Sequence, residues 1–327
     1  MKKQVLVIGV ALLAGACGGG GTTATSSPSP SGPSTVASIA AEVPADMKAL
    51  APFQIATDAT YAPNEFINPD TGAIEGWDID LGQAICKVMG VACTFNNVTF
   101  DDIIAQLKAS TPSEQAGGDK PRYLLSISSW TPTQAREDGG IDFITYYKAG
   151  ESWVVKAGGP TINSAADMCG HNVAVESGTT EESDAWGYMG QEVGGTPIAG
   201  AKDNCNAAGK QPIKVLSFGT QTEANSALLS GRADFGFLDQ PVGDYQVKQS
   251  GGKLKAGGQA CNVSPYGIAL VKGSPLEKPI TDALKYLIDN GYYKSILDKW
   301  GVADGAIASS DVALNNNTSS GPSCIPS

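Results

Sequence analysis

Apolar and polar positions alternate along most of this chain in two rhythms. Phe53 to Thr57 is a short run with the character of a strand, after which Ile79, Leu81, Ala84, Ile85, Val88 and Met89 recur at helical spacing, and Thr94 to Asn97 reads as strand again. A second set follows: strand Asn172 to Glu176, a helix from about Thr180, strand Lys214 to Phe218, helix Thr222 to Ser230 and strand Phe235 to Leu238. Thr220-Gln221-Thr222-Glu223 has the pattern of a capping box for its helix. Near the end, Leu284, Leu287 and Ile288 predict a helix that Gly291 stops, and Tyr292 to Trp300 predicts another. Strands interleaved with amphipathic helices are the mark of an α/β fold.

The first residues follow a different rule. Lys2 and Lys3 precede an apolar run, Val5 to Leu13, that is shorter than the roughly 20 residues a spanning helix needs and reads as a signal peptide. It ends in Ala14-Gly15-Ala16-Cys17, which resembles a bacterial lipobox with Ala14 where Leu is commoner. In that reading Cys17 carries lipid, residues 1–17 are the signal and lipobox, and the Gly, Ser, Thr, Pro and Ala of residues 18–47 are a flexible tether. The protein would then sit, exported, on the outer face of the cytoplasmic membrane.

Length and charge narrow the function. At roughly 150 residues per domain, 327 residues suggest two units. A net charge of -11 with no polybasic run argues against nucleic acid as a partner. The single histidine, His171, leaves multi-His metal sites and Ser-His-Asp chemistry little to draw on, and without a P-loop any ATP is hydrolysed by another chain. No metal or cofactor is expected. Cys17 removed from seven cysteines leaves six: Cys86, Cys93, Cys169, Cys205, Cys261 and Cys324. Export makes disulfides the default. Several connectivities are open, and pairing sequence neighbours (86 with 93, 169 with 205, 261 with 324) is the simplest.

Ser128-Ser129-Trp130-Thr131-Pro132-Thr133-Gln134-Ala135-Arg136 places hydroxyls and a guanidinium in a loop entering a helix. Such a loop can grip a carboxylate, because unpaired N–H groups attract anions and Arg offers two parallel bonds. Alternatively, Arg136 only caps its own helix. Further motifs weigh on that choice: Thr57-Asp58-Ala59-Thr60-Tyr61-Ala62-Pro63, Gly76-Trp77-Asp78-Ile79-Asp80-Leu81, Gly178-Thr179-Thr180, Gly231-Arg232-Ala233-Asp234 leading to Asp239, and the Cys86 to Cys93 spacing. In this order, over about Pro52 to Val302, the chain resembles the polar amino-acid-binding proteins of ABC importers, the family of the histidine- and lysine/arginine/ornithine-binding proteins.

The resemblance implies a two-lobed, type II periplasmic-binding-protein fold whose α/β lobes, joined by two hinge strands, close on an amino acid. Lobe one would comprise residues 48–149 plus 264–304, lobe two 150–263, and 305–327 a loose tail. Arg136 would hold the ligand α-carboxylate with Thr131 and Thr180. Asp239 would take the α-ammonium with Ser129, Tyr61 and Phe100 would flank the side chain, and Asp58 would stand near its far end. Trp77, Asp78 and Asp80 read as residues that start and pack a helix. The sequence departs from the family at Asn64, where an aromatic is common, at Trp130, where a smaller apolar residue is usual, and in a longer segment from Ser110 to Arg122. The implied function is a non-enzymatic, monomeric receptor that delivers a free amino acid, cationic or neutral polar, to ABC permease subunits. The alternative is a dehydratase of an amino-acid-like acid on the same scaffold, with Glu65 and Glu181 as candidate acid and base.

Overall fold

The computed structural model describes residues 32–109 and 123–324. The signal segment, Cys17, the first part of the tether and the segment 110–122 lie outside the described residues.

Among the described residues twelve strands form: β1 (Phe53–Thr57), β2 (Thr60–Tyr61), β3 (Glu65–Ile67), β4 (Ile74–Glu75), β5 (Cys93–Asn97), β6 (Leu125–Trp130), β7 (Ile141–Lys156), β8 (Asn172–Glu176), β9 (Lys214–Phe218), β10 (Phe235–Asp239), β11 (Leu254–Ala256) and β12 (Cys261–Val271). Strands β2, β3 and β4 make a small separate sheet, and the other nine make one sheet in the order β5-β1-β6-β12-β7-β10-β8-β9, with β11 on β7. Each end is parallel: β5, β1 and β6 on one side, β10, β8 and β9 on the other. Parallel strands need covering helices, and the periodic segments supply them, with Trp77–Val88 and Glu277–Asp289 on the first half and Gln221–Ser230 on the second.

The halves meet at the antiparallel pair β7 and β12. β7 is long enough to serve both, since Ile141 to Glu151 pair with β12 and Glu151 to Val155 pair with β10. The interior divides the same way. One core cluster holds Phe53, Ile55, Trp77, Leu81, Tyr146, Tyr266 and Leu284, and another holds Trp153, Val155, Val173, Phe235 and Phe237. Trp77 is fully buried against Tyr146, Tyr147 and Tyr266. It starts its helix after Gly76, whose φ of 142° and backbone proximity to Asn64 exclude a side chain.

The three neighbour-to-neighbour disulfides form: Cys86–Cys93, Cys169–Cys205 and Cys261–Cys324. Two expectations need correction. The tether ends before residue 47: Ala37–Glu42 and Ala45–Lys48 are helical, and Ile39, Val43 and Met47 are buried in the first core. Those apolar residues recur every four positions and find a hydrophobic wall that composition alone does not reveal. The tail is not loose either. Ile307 and Val312 are buried, Thr145 donates to the carbonyl of Ala313, Asn315 to that of Phe143, and Val263 bridges Ser320. A polar segment orders here because its backbone pairs with the central strands and Cys324 anchors its end.

Candidate functional site

The carboxyl ends of β1, β6, β8 and β10 converge, and in open α/β sheets the crevice beyond such ends is where ligands bind. Asp58 follows β1, Ser128 and Ser129 lie at the end of β6, Glu176 ends β8 and Asp239 ends β10. These residues line one cavity of about 330 Å³ empty volume, together with Tyr61, Glu65, Phe100, Thr131, Arg136, Thr179, Thr180 and Glu181. All eight ligand-contacting residues inferred from the sequence therefore meet in one place, drawn from both halves of the sheet.

Arg136 is in the short helix Gln134–Asp138, which Thr133 caps by accepting the N–H of Arg136 itself. Its guanidinium does not cap that helix. It donates to the carbonyl of Thr131 at 2.5 Å and, across the cavity, to that of Gly178 at 2.8 Å. Its carbon lies 4.8 Å from the Trp130 ring centroid and 5.7 Å from that of Phe100, two rings stacked at 4.1 Å. Phe100 thus floors the guanidinium as well as lining the cavity, and Trp130 serves as a platform. Burial lowers the Arg136 pKa to about 10, against the upward pull of Glu181 and Asp239.

Asp239 accepts from the Tyr61 hydroxyl at 3.0 Å, and its own N–H donates to the same oxygen at 3.2 Å. Burial pushes its carboxyl up to about 6, while Tyr266, Tyr61 and Arg136 pull it down. Asp58 caps its turn and lines the cavity at once: one oxygen accepts the N–H and hydroxyl of Thr60 and the other the N–H of Phe100. Burial raises its pKa too. Thr180 donates to Glu181 at 3.2 Å. Glu181 is buried, and one of its carboxylate oxygens has no hydrogen-bond partner. Its pKa stands well above the usual carboxylate range through burial and then the Asp239 charge.

Behind the wall, Ser129 is held in a left-handed conformation at φ 51°, which is costly for a residue with a side chain. A network sustains it. Asn64 donates to the Ser129 hydroxyl at 2.8 Å while accepting from the Trp77 indole at 2.6 Å, and Asp78 accepts the Ser129 N–H and the Tyr146 hydroxyl. Asn64 is therefore a strut for the site where an aromatic could not be. Burial raises Asp78 to about 7, and neighbouring Glu65 stands well above its usual range through burial and the Asp78 charge. Ser128 and Thr179 lie in motifs singled out from the sequence and Glu176 at the end of a predicted strand, but none of the three was given a role in the site. Glu65 and Glu181 were weighed as acid and base or as surface carboxylates.

The model of the bacterial extracellular solute-binding proteins, family 3, matches residues 53–303. The chain belongs to that family. Its type II, two-lobed α/β fold is the one the motifs implied. The arginine-binding protein ArgT of Corynebacterium glutamicum is 30% identical over 284 residues, covering 87% of this chain and 84% of that protein. The L-arginine-binding protein of Pseudomonas aeruginosa is 31% identical over 258 residues, 76% of this chain and 87% of that one. Among solved structures, an ancestral arginine-binding protein bound to arginine is 33% identical with a TM-score of 0.61, covering 76% of this chain and 97% of its own.

Proposed function

We propose that this protein is an extracytoplasmic receptor that captures a cationic amino acid, arginine foremost, and hands it to the membrane subunits of an ABC importer. The observation that carries this reading is the charge of the cavity: among the described residues one guanidinium, Arg136, faces five carboxyl groups, Asp58, Glu65, Glu176, Glu181 and Asp239. A desolvated zwitterion needs a bidentate cation at one end and a carboxylate at the other, roles suited to Arg136, assisted by Thr131 and Thr180, and to Asp239, assisted by Ser129. The carboxyl groups left over favour a second positive charge on the ligand side chain, with Asp58 near its end and Tyr61 and Phe100 along its stem. Three arginine-binding relatives support the choice.

In this reading one lobe is residues 48–149 plus 264–304, with the helices from Ala37 and the residues Ile307 and Val312 packed into its core, the other is residues 150–263, the two close about β7 and β12, and the receptor works as a monomer. Lipid on Cys17 would hold it at the outer face of the cytoplasmic membrane. Calorimetric titration of protein unfolded and refolded to remove bound solute, against arginine, lysine, glutamine and glutamate, tests the claim. Glutamate binding more tightly than arginine would overturn it.

A second reading, dehydration of an amino-acid-like acid, draws on Glu65 and Glu181, whose raised pKa values suit proton transfer beside a bound substrate. Product formed from amino acids or cyclohexadienyl acids would replace the receptor reading with this one.

A further inference from the structure

Arg136 feels the charges of Glu181 and Asp239. A second pair of carboxyl groups lines the same cavity. Asp58, from the loop after β1, and Glu176, the last residue of β8, come from the two halves of the sheet, and both are buried, 2% exposed each. A short chain of polar groups links them. The Thr60 hydroxyl donates to Asp58 Oδ1 at 2.6 Å and accepts the Gln221 N–H at 3.2 Å, and that same N–H donates to Glu176 Oε1 at 3.0 Å. Neither carboxylate takes part in a salt bridge among the described residues. The Asp58 charge, after burial, is the next cause holding the Glu176 carboxyl well above its usual range. Two buried carboxyl groups turned on one space, with no cation paired to either among the described residues, are costly unless something positive is placed there.

Resting on the receptor reading above, we propose that Glu176 is a specificity-determining residue: with Asp58 it forms a two-sided seat for the cationic end of the ligand side chain, favouring guanidinium over ammonium. A guanidinium is planar and carries N–H donors along more than one edge, so it can face one carboxylate on each side and stay fully hydrogen-bonded. An ammonium is a compact, strongly hydrated point charge that loses more on desolvation. The seat joins residues of both halves, so ligand in it also ties the halves together, a role that a carboxylate on one half alone could not perform.

The test compares arginine, citrulline and lysine in calorimetry with the full chain and with Glu176→Gln. Citrulline keeps the shape of arginine and replaces the guanidinium by an uncharged urea. The wild type should prefer arginine to citrulline by at least about a hundredfold and arginine to lysine by at least about tenfold. Glu176→Gln should shrink the arginine-to-citrulline ratio by at least about tenfold while citrulline affinity stays within about threefold. A ratio unchanged in the variant overturns the assignment. So does equal loss of both ligands, which would make Glu176 structural, and so does a wild type that prefers lysine. A wild type that binds no arginine at all refutes the reading of arginine as the ligand, so the two failures are distinct.

Discussion

Replacing Arg136 by Lys keeps a positive charge in the cavity and removes only the planar fork, which tests the proposal that this fork grips the ligand carboxylate. The guanidinium already spans two carbonyls, Thr131 at 2.5 Å and Gly178 at 2.8 Å, and rests 4.8 Å from the Trp130 centroid. An ammonium cannot hold both carbonyls and still present two parallel donors to a ligand. One charge-assisted hydrogen bond is worth about 1.5–3 kcal/mol, and the contact over Trp130 adds roughly 0.5–1 kcal/mol. Together these make a loss of about 2–4 kcal/mol, or roughly thirty-fold to several-hundred-fold weaker arginine binding at about 1.4 kcal/mol per factor of ten. Arg136→Ala goes further, leaving the ligand carboxylate without a paired charge, and should cost about 3–5 kcal/mol. Calorimetry with arginine reads both values, and thermal melts of the ligand-free variants show whether the fold survives. If Arg136→Lys bound arginine within about threefold of wild type, the fork would not be the carboxylate grip, and the ligand orientation inferred here would have to be reversed or abandoned.

Ligand-free stability should fall as pH rises: Asp239 titrates near 6 and Asp78 near 7 in the folded chain, against about 3.9 unfolded. The folded state thus holds more protons between about pH 4 and 7, and the stability this confers at the acid end is lost through that window. A urea midpoint lower at pH 5 than at pH 8 would contradict it. Gly76→Ala should destabilise by about 3 kcal/mol or more, since its Cβ would stand 1.9 Å from the Asn64 carbonyl oxygen at a φ of 142°; an unchanged melting temperature would refute that. Cys324→Ser opens a link between residues 63 apart, worth about 2–4 kcal/mol by loop-closure entropy, and denaturation of the variant should show a lower midpoint. Equal midpoints would mean that the tail's hydrogen bonds alone hold it.

Strands and helices were legible in the sequence because their signal is local: the short apolar run within Asn172–Glu176, buried on both faces, and the period near four in Trp77–Val88 reflect side chains that must face a core whatever lies beyond it. Arg136, Asp58 and Asp239 were legible for another reason: each lies in a motif near the end of a strand, and the family resemblance those motifs carry is what placed it at the crevice. What the period cannot encode is which groups face each other across that crevice. Glu176 reads as the polar end of a strand and Glu181 as an ordinary acid in the first turn of a helix, a favourable place for a carboxylate. Only the apposition of the two halves buries both and turns them, with Asp58, into a field that calls for a cation. The ordered tail and the buried Ile39, Val43 and Met47 were hidden likewise, because their partners lie on β7, β12 and the first core. The elements and the motif residues were thus written locally in the chain, whereas which charges share one dry space depends on contacts between residues from 42 to 178 positions apart, which no local pattern encodes.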